Sequence, residues 1–250
     1  MPGENPVIPL LVGGLIAVSL LAVLSIVFWV WAVRRPAVAV SEDAAGGDHG
    51  SLVYVAIGAQ SGLGFDNDAD GGRNWAALLR EKMPEGTRLV TQGRRSITLA
   101  ELNRLEIPAA VQARPDIVTL WSVVSDASRK VALSDYIKDL HAALTVLCRS
   151  THAAILLLNL PDISLIKSGM SDEQRALVRG GVAQWNKSIA GAAARYGKRV
   201  RLVDIFPSSE QLLGTLDGTL PQDGSTGERN SLLAELVWHA LEGERFLQTA

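Results

Sequence analysis

The sequence is poor in cysteine and in clustered charge of either sign. Cys148 is the only cysteine, so no internal disulfide can form, although exported and cytosolic domains can both lack disulfides. The 24 basic residues nearly balance the 26 acidic ones and form no long basic run, which argues against a nucleic-acid-binding groove. Internal repeats and low-complexity tracts are also absent. The length of 250 residues indicates one domain of ordinary size with an appendage.

Charge is completely missing from a long N-terminal stretch. Residues 7–33 contain no Asp, Glu, Lys or Arg. The apolar core of this stretch, residues 10–28, is long enough to cross a bilayer as a helix, which needs about 20 residues. Trp29 and Trp31 follow the core, where an interfacial aromatic belt would lie. We therefore predict a single-pass anchor in residues 1–35 that contacts the lipid bilayer.

A cleaved signal peptide is the competing interpretation of this segment, with residues 37–39 as its cleavage site. The segment lacks a basic n-region, however, and its apolar stretch exceeds the usual ~7–15 residues. Arg34 and Arg35 follow the span, so the positive-inside rule places the remaining chain in the cytoplasm. Large domains are also translocated against this rule, and an extracytoplasmic location is the alternative. Gly13 and Ala17 form a small-xxx-small pair that could pack against another membrane protein.

The rest of the chain has the pattern of an α/β domain. Residues 36–51 are rich in Ala, Gly and acidic residues, which predicts a flexible linker. Short apolar runs with many β-branched residues then predict strands that are buried on both faces. These strands cover residues 52–57, 87–91, 116–121, 153–159 and 200–203. Their alternation with helices predicts a flavodoxin-like three-layer α/β/α domain, with a five-stranded parallel sheet, in residues 52–250.

Helix signals stand between and after the predicted strands. Ser171 and Gln174 form a capping-box signal at the start of a long helix. The predicted helices cover residues 75–83, 134–147, 172–196 and 225–241, the first capped by Asn74 and the second by Ser134. In parallel sheets the site lies beyond the carboxyl ends of the strands. Ser61, Ser125 and Asp162 follow predicted strands closely, so we expect them at one edge of the sheet.

Four short polar segments carry a resemblance to a known family. A glycine-flanked serine follows the first strand in residues 58–61, and Ser-Ile-Thr follows the second in residues 96–98. Val-Val-Ser-Asp follows the third strand in residues 123–126, and Asp-Gly-Thr-Leu-Pro stands at residues 217–221. These segments resemble the four motif blocks of the SGNH (GDSL-type) hydrolases, and the resemblance extends over residues 52–241.

The resemblance implies the role of each motif position. Ser61 stands at the nucleophile, Ser96 and Ser125 at two oxyanion-hole positions, and Asp217 at the triad acid. The family's catalytic histidine is replaced by Leu220. Losing an oxyanion donor costs roughly 2.7–4 kcal/mol, and losing the histidine of a comparable triad costs on the order of 10⁶ in rate. We therefore interpret Ser61 and Asp217 as vestigial catalytic residues.

The remaining histidines offer no evident substitute for the lost base. His49 falls in the linker, His141 and His239 fall within predicted helices, and His152 precedes the fourth strand. None of them follows the carboxyl end of a strand. Asp126 and Asp162 are interpreted as structural turn residues, as Asp commonly is in such positions.

The sequence contains no convincing metal or cofactor motif. Residues 66–71 have the Asp-x-Asn/Asp-x-Asp-Gly start of a calcium loop, but the bidentate Glu required at position 12 is replaced by Ala77. We interpret this stretch as an acidic solvated loop, with a weak Ca²⁺ site as the alternative, and we predict neither metal nor cofactor.

Three functional hypotheses follow. The leading one is a membrane-anchored SGNH-like domain without ordinary esterase activity, which acts as a binding or accessory subunit of a membrane assembly. The second is a working acyl hydrolase in which a base from outside the family motif activates Ser61. The third is a small-ligand sensor, which a ligand would stabilise thermally, whereas a purely structural subunit would show no such effect.

Overall fold

The computed structural model describes residues 51–58, 74–92, 97–166, 169–213 and 225–242. The predicted anchor in residues 1–35 lies outside these residues, as does the predicted linker except for Ser51. Both therefore stay predictions. Within the described ranges, every helix is too short or too polar to cross a membrane.

A parallel β-sheet forms the centre of the domain. Its five strands are β1 (Val53–Ile57), β2 (Arg88–Gln92), β3 (Ile117–Leu120), β4 (Ala154–Leu158) and β5 (Val200–Val203). The order in the sheet is β2-β1-β3-β4-β5, and each neighbouring pair is parallel. This is the flavodoxin-like order. All five predicted strands are confirmed, with each end displaced by one residue or less.

Burial explains why these segments form strands. Every residue of β3 and β4 is buried, as is all of β1 except its first residue. Strands covered on both faces need continuous apolar runs rather than an alternating pattern. The two polar side chains of the central strands satisfy each other, because Tyr54 of β1 and Thr119 of β3 form a hydrogen bond of 2.9 Å. Burial raises the pKa of Tyr54 well above its usual value, so the phenol stays neutral.

Eight α-helices are described, and several of them contact strands of the sheet. They are α1 (Trp75–Lys82), α2 (Leu99–Leu105), α3 (Ile107–Gln112), α4 (Val123–Ser128), α5 (Leu133–Ser150), α6 (Asp172–Ala194), α7 (Ser209–Leu213) and α8 (Ser225–Glu242). Helices α1 and α8 pack together, and α5 packs against α2, α3 and α6. Because successive crossovers are right-handed, the reversal of direction at β2 places these two groups on opposite faces. The predicted α/β/α layering is confirmed.

Two of the three predicted helix caps are present. Asn74 accepts a hydrogen bond from the Ala77 N–H at the start of α1. Ser171 and Gln174 form the predicted capping box at the start of α6. The prediction for Ser134 was wrong, because α5 begins at Leu133 and its N-cap position is Ala132, which makes no side-chain hydrogen bond. A turn at Lys130, which has a φ of 60°, already directs the chain into the helix before Ser134 is reached.

The capping box of α6 provides a local test of stability. We expect Ser171→Ala to lower the free energy of unfolding by about 1 kcal/mol, because it leaves orphan N–H groups in the first turn. Ser188→Ala is the matched control, since the Ser188 hydroxyl only bonds the Gln184 carbonyl inside the same helix. The control should change stability by less than about 0.5 kcal/mol. Urea unfolding of both variants measures the difference, and equal effects would contradict the role of the cap.

Candidate functional site

The sequence predicts the site at the carboxyl edge of the parallel sheet, and Gly58 is the first residue after β1 at this edge. Gly58 follows β1 with a φ of +67°, a left-handed conformation that favours glycine. A Cβ atom at this position would lie 2.5 Å from the Trp121 carbonyl oxygen. The absence of a side chain therefore lets the chain leaving β1 pass directly against the chain leaving β3.

Hydrogen bonds connect the ends of β3, β4 and β5 along the same edge. The buried Trp121 indole donates to the Asn159 carbonyl oxygen at 3.1 Å. The Asn159 side chain accepts the Ile205 N–H at 2.9 Å and donates to Asp204 at 2.7 Å. Trp121 also makes an edge-to-face contact with Trp75 of α1, at a centroid distance of 6.2 Å. The carboxyl edge is thus held by a continuous series of buried contacts from β1 to β5.

The structure describes one of the predicted site residues. Ser61, Ser96 and Asp217 lie outside the described residues, and so does Leu220. Their proposed roles stay predictions that rest on the motif resemblance. Ser125 is described, and it follows the carboxyl end of β3 as predicted.

Ser125 lies in the first turn of α4, and its surroundings limit what it can offer to a ligand. The residue is buried. Its backbone N–H donates to the Ser122 carbonyl oxygen at 3.0 Å, and its carbonyl oxygen accepts from the Ser128 hydroxyl at 2.9 Å. The backbone donor is therefore already used within the chain. Only the short hydroxyl is left for the oxyanion-hole role that the motif resemblance predicts for Ser125, and that role stays a prediction.

Asp126, the next residue, is fully buried and joins two motif segments. Its carboxylate oxygens lie 2.9 and 3.2 Å from the backbone nitrogen of Leu99, the first residue of α2. Burial raises the pKa of Asp126 to about 7, and the Leu99 N–H opposes that rise. Thr98, beside Leu99, caps α2 in a capping box with Glu101. The interpretation of Asp126 as a turn residue missed this long-range contact.

Asp162 follows β4 and has a structural role. Its carboxylate accepts hydrogen bonds from the Ser164 N–H and hydroxyl, which caps the 3-10 helical turn Ile163–Leu165. Its second carboxylate oxygen lies 3.2 Å from Nε of Arg179. These contacts account for both oxygens of the carboxylate. Asp162 therefore stabilises the turn after β4, as the sequence predicts.

The three described histidines are poorly placed to act as a relocated base. His141 lies within α5, where its ring is 3.2 Å from the Tyr196 hydroxyl. Burial and, to a smaller extent, Arg195 lower its pKa. His152 lies two residues before the start of β4, at the edge of the sheet opposite to the motif segments. His239 lies on α8 and is 3.5 Å from Glu242.

The described part of the chain also lacks a candidate metal site. No group of three or more His, Cys, Asp or Glu side chains there has an arrangement that could hold an ion. The calcium-like segment in residues 66–71 lies outside the described residues.

Comparisons with known proteins agree with this architecture. The sequence profile of the GDSL-like lipase/acylhydrolase family matches residues 52–232. A comparison with curated proteins finds no match.

Solved structures show the same fold at low sequence identity. TesA is 20% identical, with a TM-score of 0.56, over 77% of this chain and 98% of that one. The acetyl xylan esterase AlAXEase is 16% identical, with a TM-score of 0.56, over 76% of this chain and 99% of that one. A catalytic mutant of Axe2, an acetylxylan esterase from Geobacillus stearothermophilus, is 17% identical, with a TM-score of 0.54, over 77% of this chain and 96% of that one. The match to the family profile covers well over half of the sequence, and the chain belongs to the GDSL-like lipase/acylhydrolase family.

Proposed function

We propose that this chain is a membrane-anchored SGNH-like domain that lacks ordinary esterase turnover and acts as a binding or accessory subunit of a membrane assembly. The observation that carries the proposal is Leu220 at the position of the family's catalytic histidine. A leucine side chain cannot accept a proton, and a serine without a base is a poor nucleophile. Ser61 is then a remnant of the family's nucleophile.

The buried contacts at the carboxyl edge of the sheet support a binding role. The carboxyl edge keeps its buried contacts at Gly58, Trp121 and Asn159. Ser125 offers a shorter donor than the family's asparagine, and the N–H of Ser125 is used within the chain. A domain that keeps its packing while its catalytic groups are replaced is suited to binding rather than turnover.

The predicted anchor supports the proposal that the domain is held at a membrane. The uncharged residues 7–33 would hold the domain at the bilayer. Arg34 and Arg35 favour a cytoplasmic domain by the positive-inside rule, with an extracytoplasmic domain as the alternative. A single anchor next to a linker leaves the domain free to dock on neighbouring membrane proteins.

Labelling with a fluorophosphonate tests the state of Ser61 directly. We expect the full-length protein in detergent micelles to remain unlabelled under conditions that label an active GDSL esterase, because no base activates the serine. Ser61→Ala is the control for labelling at other sites. Rapid labelling that disappears in Ser61→Ala would overturn the proposal and favour a working acyl hydrolase. That second candidate draws support from the esterase names of the solved relatives.

Restoring the replaced histidine and asparagine tests whether their absence is the reason for the expected lack of esterase turnover. We expect the Leu220→His, Ser125→Asn double variant to hydrolyse p-nitrophenyl acetate at least about tenfold faster than the parent, since a triad histidine is worth orders of magnitude in rate. The gain should disappear when Ser61→Ala is added. Turnover by the parent protein that equals that of an active family member, and that depends on Ser61, would refute the proposal that the domain lacks esterase activity.

A further inference from the structure

The Asp126 side chain makes an unusual connection between two motif segments. It belongs to α4, after β3, but its carboxylate binds the first backbone N–H of α2, which follows β2. Asp126 is completely buried. The contact therefore fixes the start of α2 relative to α4 through one ionisable group. Ser125 immediately precedes this group, and Ser96 lies three residues before Leu99 in the sequence.

Two buried hydroxyl groups lie near α4. Tyr136 of α5 and Ser122, after β3, are both buried. Among the described residues, neither the Tyr136 hydroxyl nor the Ser122 hydroxyl has a hydrogen-bond partner. The Ser122 hydroxyl is near enough to oppose the rise in the pKa of Tyr136 that burial causes, and Asp126 adds to that rise. Tyr136 is therefore near enough to feel the charge of Asp126, but neither hydroxyl is within hydrogen-bond distance of its carboxylate.

Charged groups on all the neighbouring helices act on Asp126. Asp139 of α5 and Glu101 of α2 favour its neutral form, whereas Arg129 at the end of α4 favours its charged form. Arg129 lies 2.7 Å from Glu101, so much of its charge is balanced there. The Thr98 N–H, with a smaller contribution from Arg129, lowers the pKa of Glu101 and keeps it ionised beside Asp126. Burial and these charges together make the Asp126 carboxylate costly to ionise.

We propose that Asp126 is a proton-operated tether between α4 and the start of α2, so that the contact between these two helices depends on its protonation. In the neutral state, one oxygen accepts the Leu99 N–H and the buried side chain carries no charge. In the ionised state, the buried charge can be solvated only by loosening the contact between α2 and α4. Burial raises the pKa of Asp126 more than the Leu99 hydrogen bond lowers it, so loss of the proton favours release of the start of α2.

The tether does not depend on whether Ser61 is reactive. It rests on the burial of Asp126 and on its hydrogen bond with the Leu99 N–H, and both residues lie in the described core. A domain that only binds a ligand at the carboxyl edge would still change the shape of that edge with pH. A burial-raised pKa of about 7 places this change near neutrality.

The Leu99 backbone amide is a direct reporter of the tether. We expect its ¹⁵N resonance in the full-length protein, labelled with [¹⁵N]leucine in micelles, to titrate with a midpoint near 7. The resonance is assigned by its loss in Leu99→Met. Asp126→Asn, which keeps an oxygen acceptor for the Leu99 N–H, should abolish the titration. Asp162→Asn removes the other buried carboxylate that follows a strand and should leave the titration intact.

The pH dependence of unfolding gives a second and independent measurement. The folded protein keeps the Asp126 proton above the ordinary aspartate value of 3.8, where the unfolded chain has lost it. The stabilisation is therefore complete below that value and is lost as the pH rises towards about 7. We expect the difference in stability between the parent and Asp126→Asn to follow this course in urea unfolding. A Leu99 amide that does not titrate, a titration that survives in Asp126→Asn, or a pH-independent difference in stability would each overturn the proposal.

Discussion

Gly58→Ala is expected to lower the free energy of unfolding by about 2–5 kcal/mol, one of the two largest effects of any substitution considered for this domain. The left-handed conformation at Gly58 alone costs a non-glycine residue roughly 1–2 kcal/mol. The added Cβ would also lie 2.5 Å from the Trp121 carbonyl oxygen and 3.0 Å from its carbonyl carbon. Both contacts involve backbone, which cannot move without separating the ends of β1 and β3.

Gly86→Ala is the matched control for this prediction. Gly86 also has a left-handed φ, of +85°, but its added Cβ would meet only the Ser51 Cβ at 3.9 Å, an ordinary contact. Gly86→Ala should therefore show the conformational cost without the clash. Urea unfolding of the two variants in parallel measures the difference, which we expect to be at least about 1 kcal/mol. Equal losses of stability would show that the close approach of Gly58 to Trp121 has no energetic effect.

Trp121→Ala is expected to lower the free energy of unfolding by about 3–5 kcal/mol, as large core truncations do. The indole is almost completely buried and donates to the Asn159 carbonyl oxygen. Its loss would remove the edge-to-face contact with Trp75 and leave a cavity between β3 and α1. Since Asn159 connects β4 to β5, the effect should extend along the carboxyl edge of the sheet.

Trp185→Ala on α6 provides the comparison for Trp121→Ala. Trp185 is only partly buried, and its ring packs against Tyr136 at a centroid distance of 5.1 Å. We expect its removal to cost clearly less, since its cavity opens towards solvent. Thermal unfolding followed by near-ultraviolet circular dichroism checks both variants. A greater loss for Trp185→Ala would contradict the central role assigned to Trp121.

The strands and the long helices could be predicted because their signals are local. Continuous apolar runs marked all five strands within one residue at each end. The capping box of Ser171 and Gln174 depends on contacts between residues three positions apart, which are visible in the sequence. The misplaced cap at Ser134 shows the limit of this approach, because a turn at Lys130 set the start of α5.

The short helices were not predicted from the sequence, for a related reason. Helices α2, α3, α4 and α7 have seven residues or fewer, and such segments are too short to establish a helical period. One signal was available for α2, since Thr98 and Glu101 have the spacing of a capping box. Thr98 was interpreted as a motif residue instead. The two valines at the start of α4 favour a strand by composition, and their burial in the core overrides this preference.

The candidate site, like the fold, could be predicted only in part from the sequence. The motif resemblance located Ser125 at the end of β3, and the structure confirms that position. Its burial in a helical turn, and the commitment of its N–H to Ser122, depend on packing that no motif describes. The link from Asp126 to Leu99 joins residues 27 positions apart, and neither residue alone predicts the contact.

The sequence by itself determined the family and the strand–helix alternation, because each is a property of residue identity or of neighbours along the chain. Tertiary structure alone decided the contacts that hold the carboxyl edge. The Trp75 N–H is bound by the Asn230 side chain, 155 residues away, and Trp121 reaches Asn159 across 38 residues. Contacts of this kind form only when the sheet has brought distant segments together. Buried polar groups then find partners chosen by geometry rather than by sequence spacing.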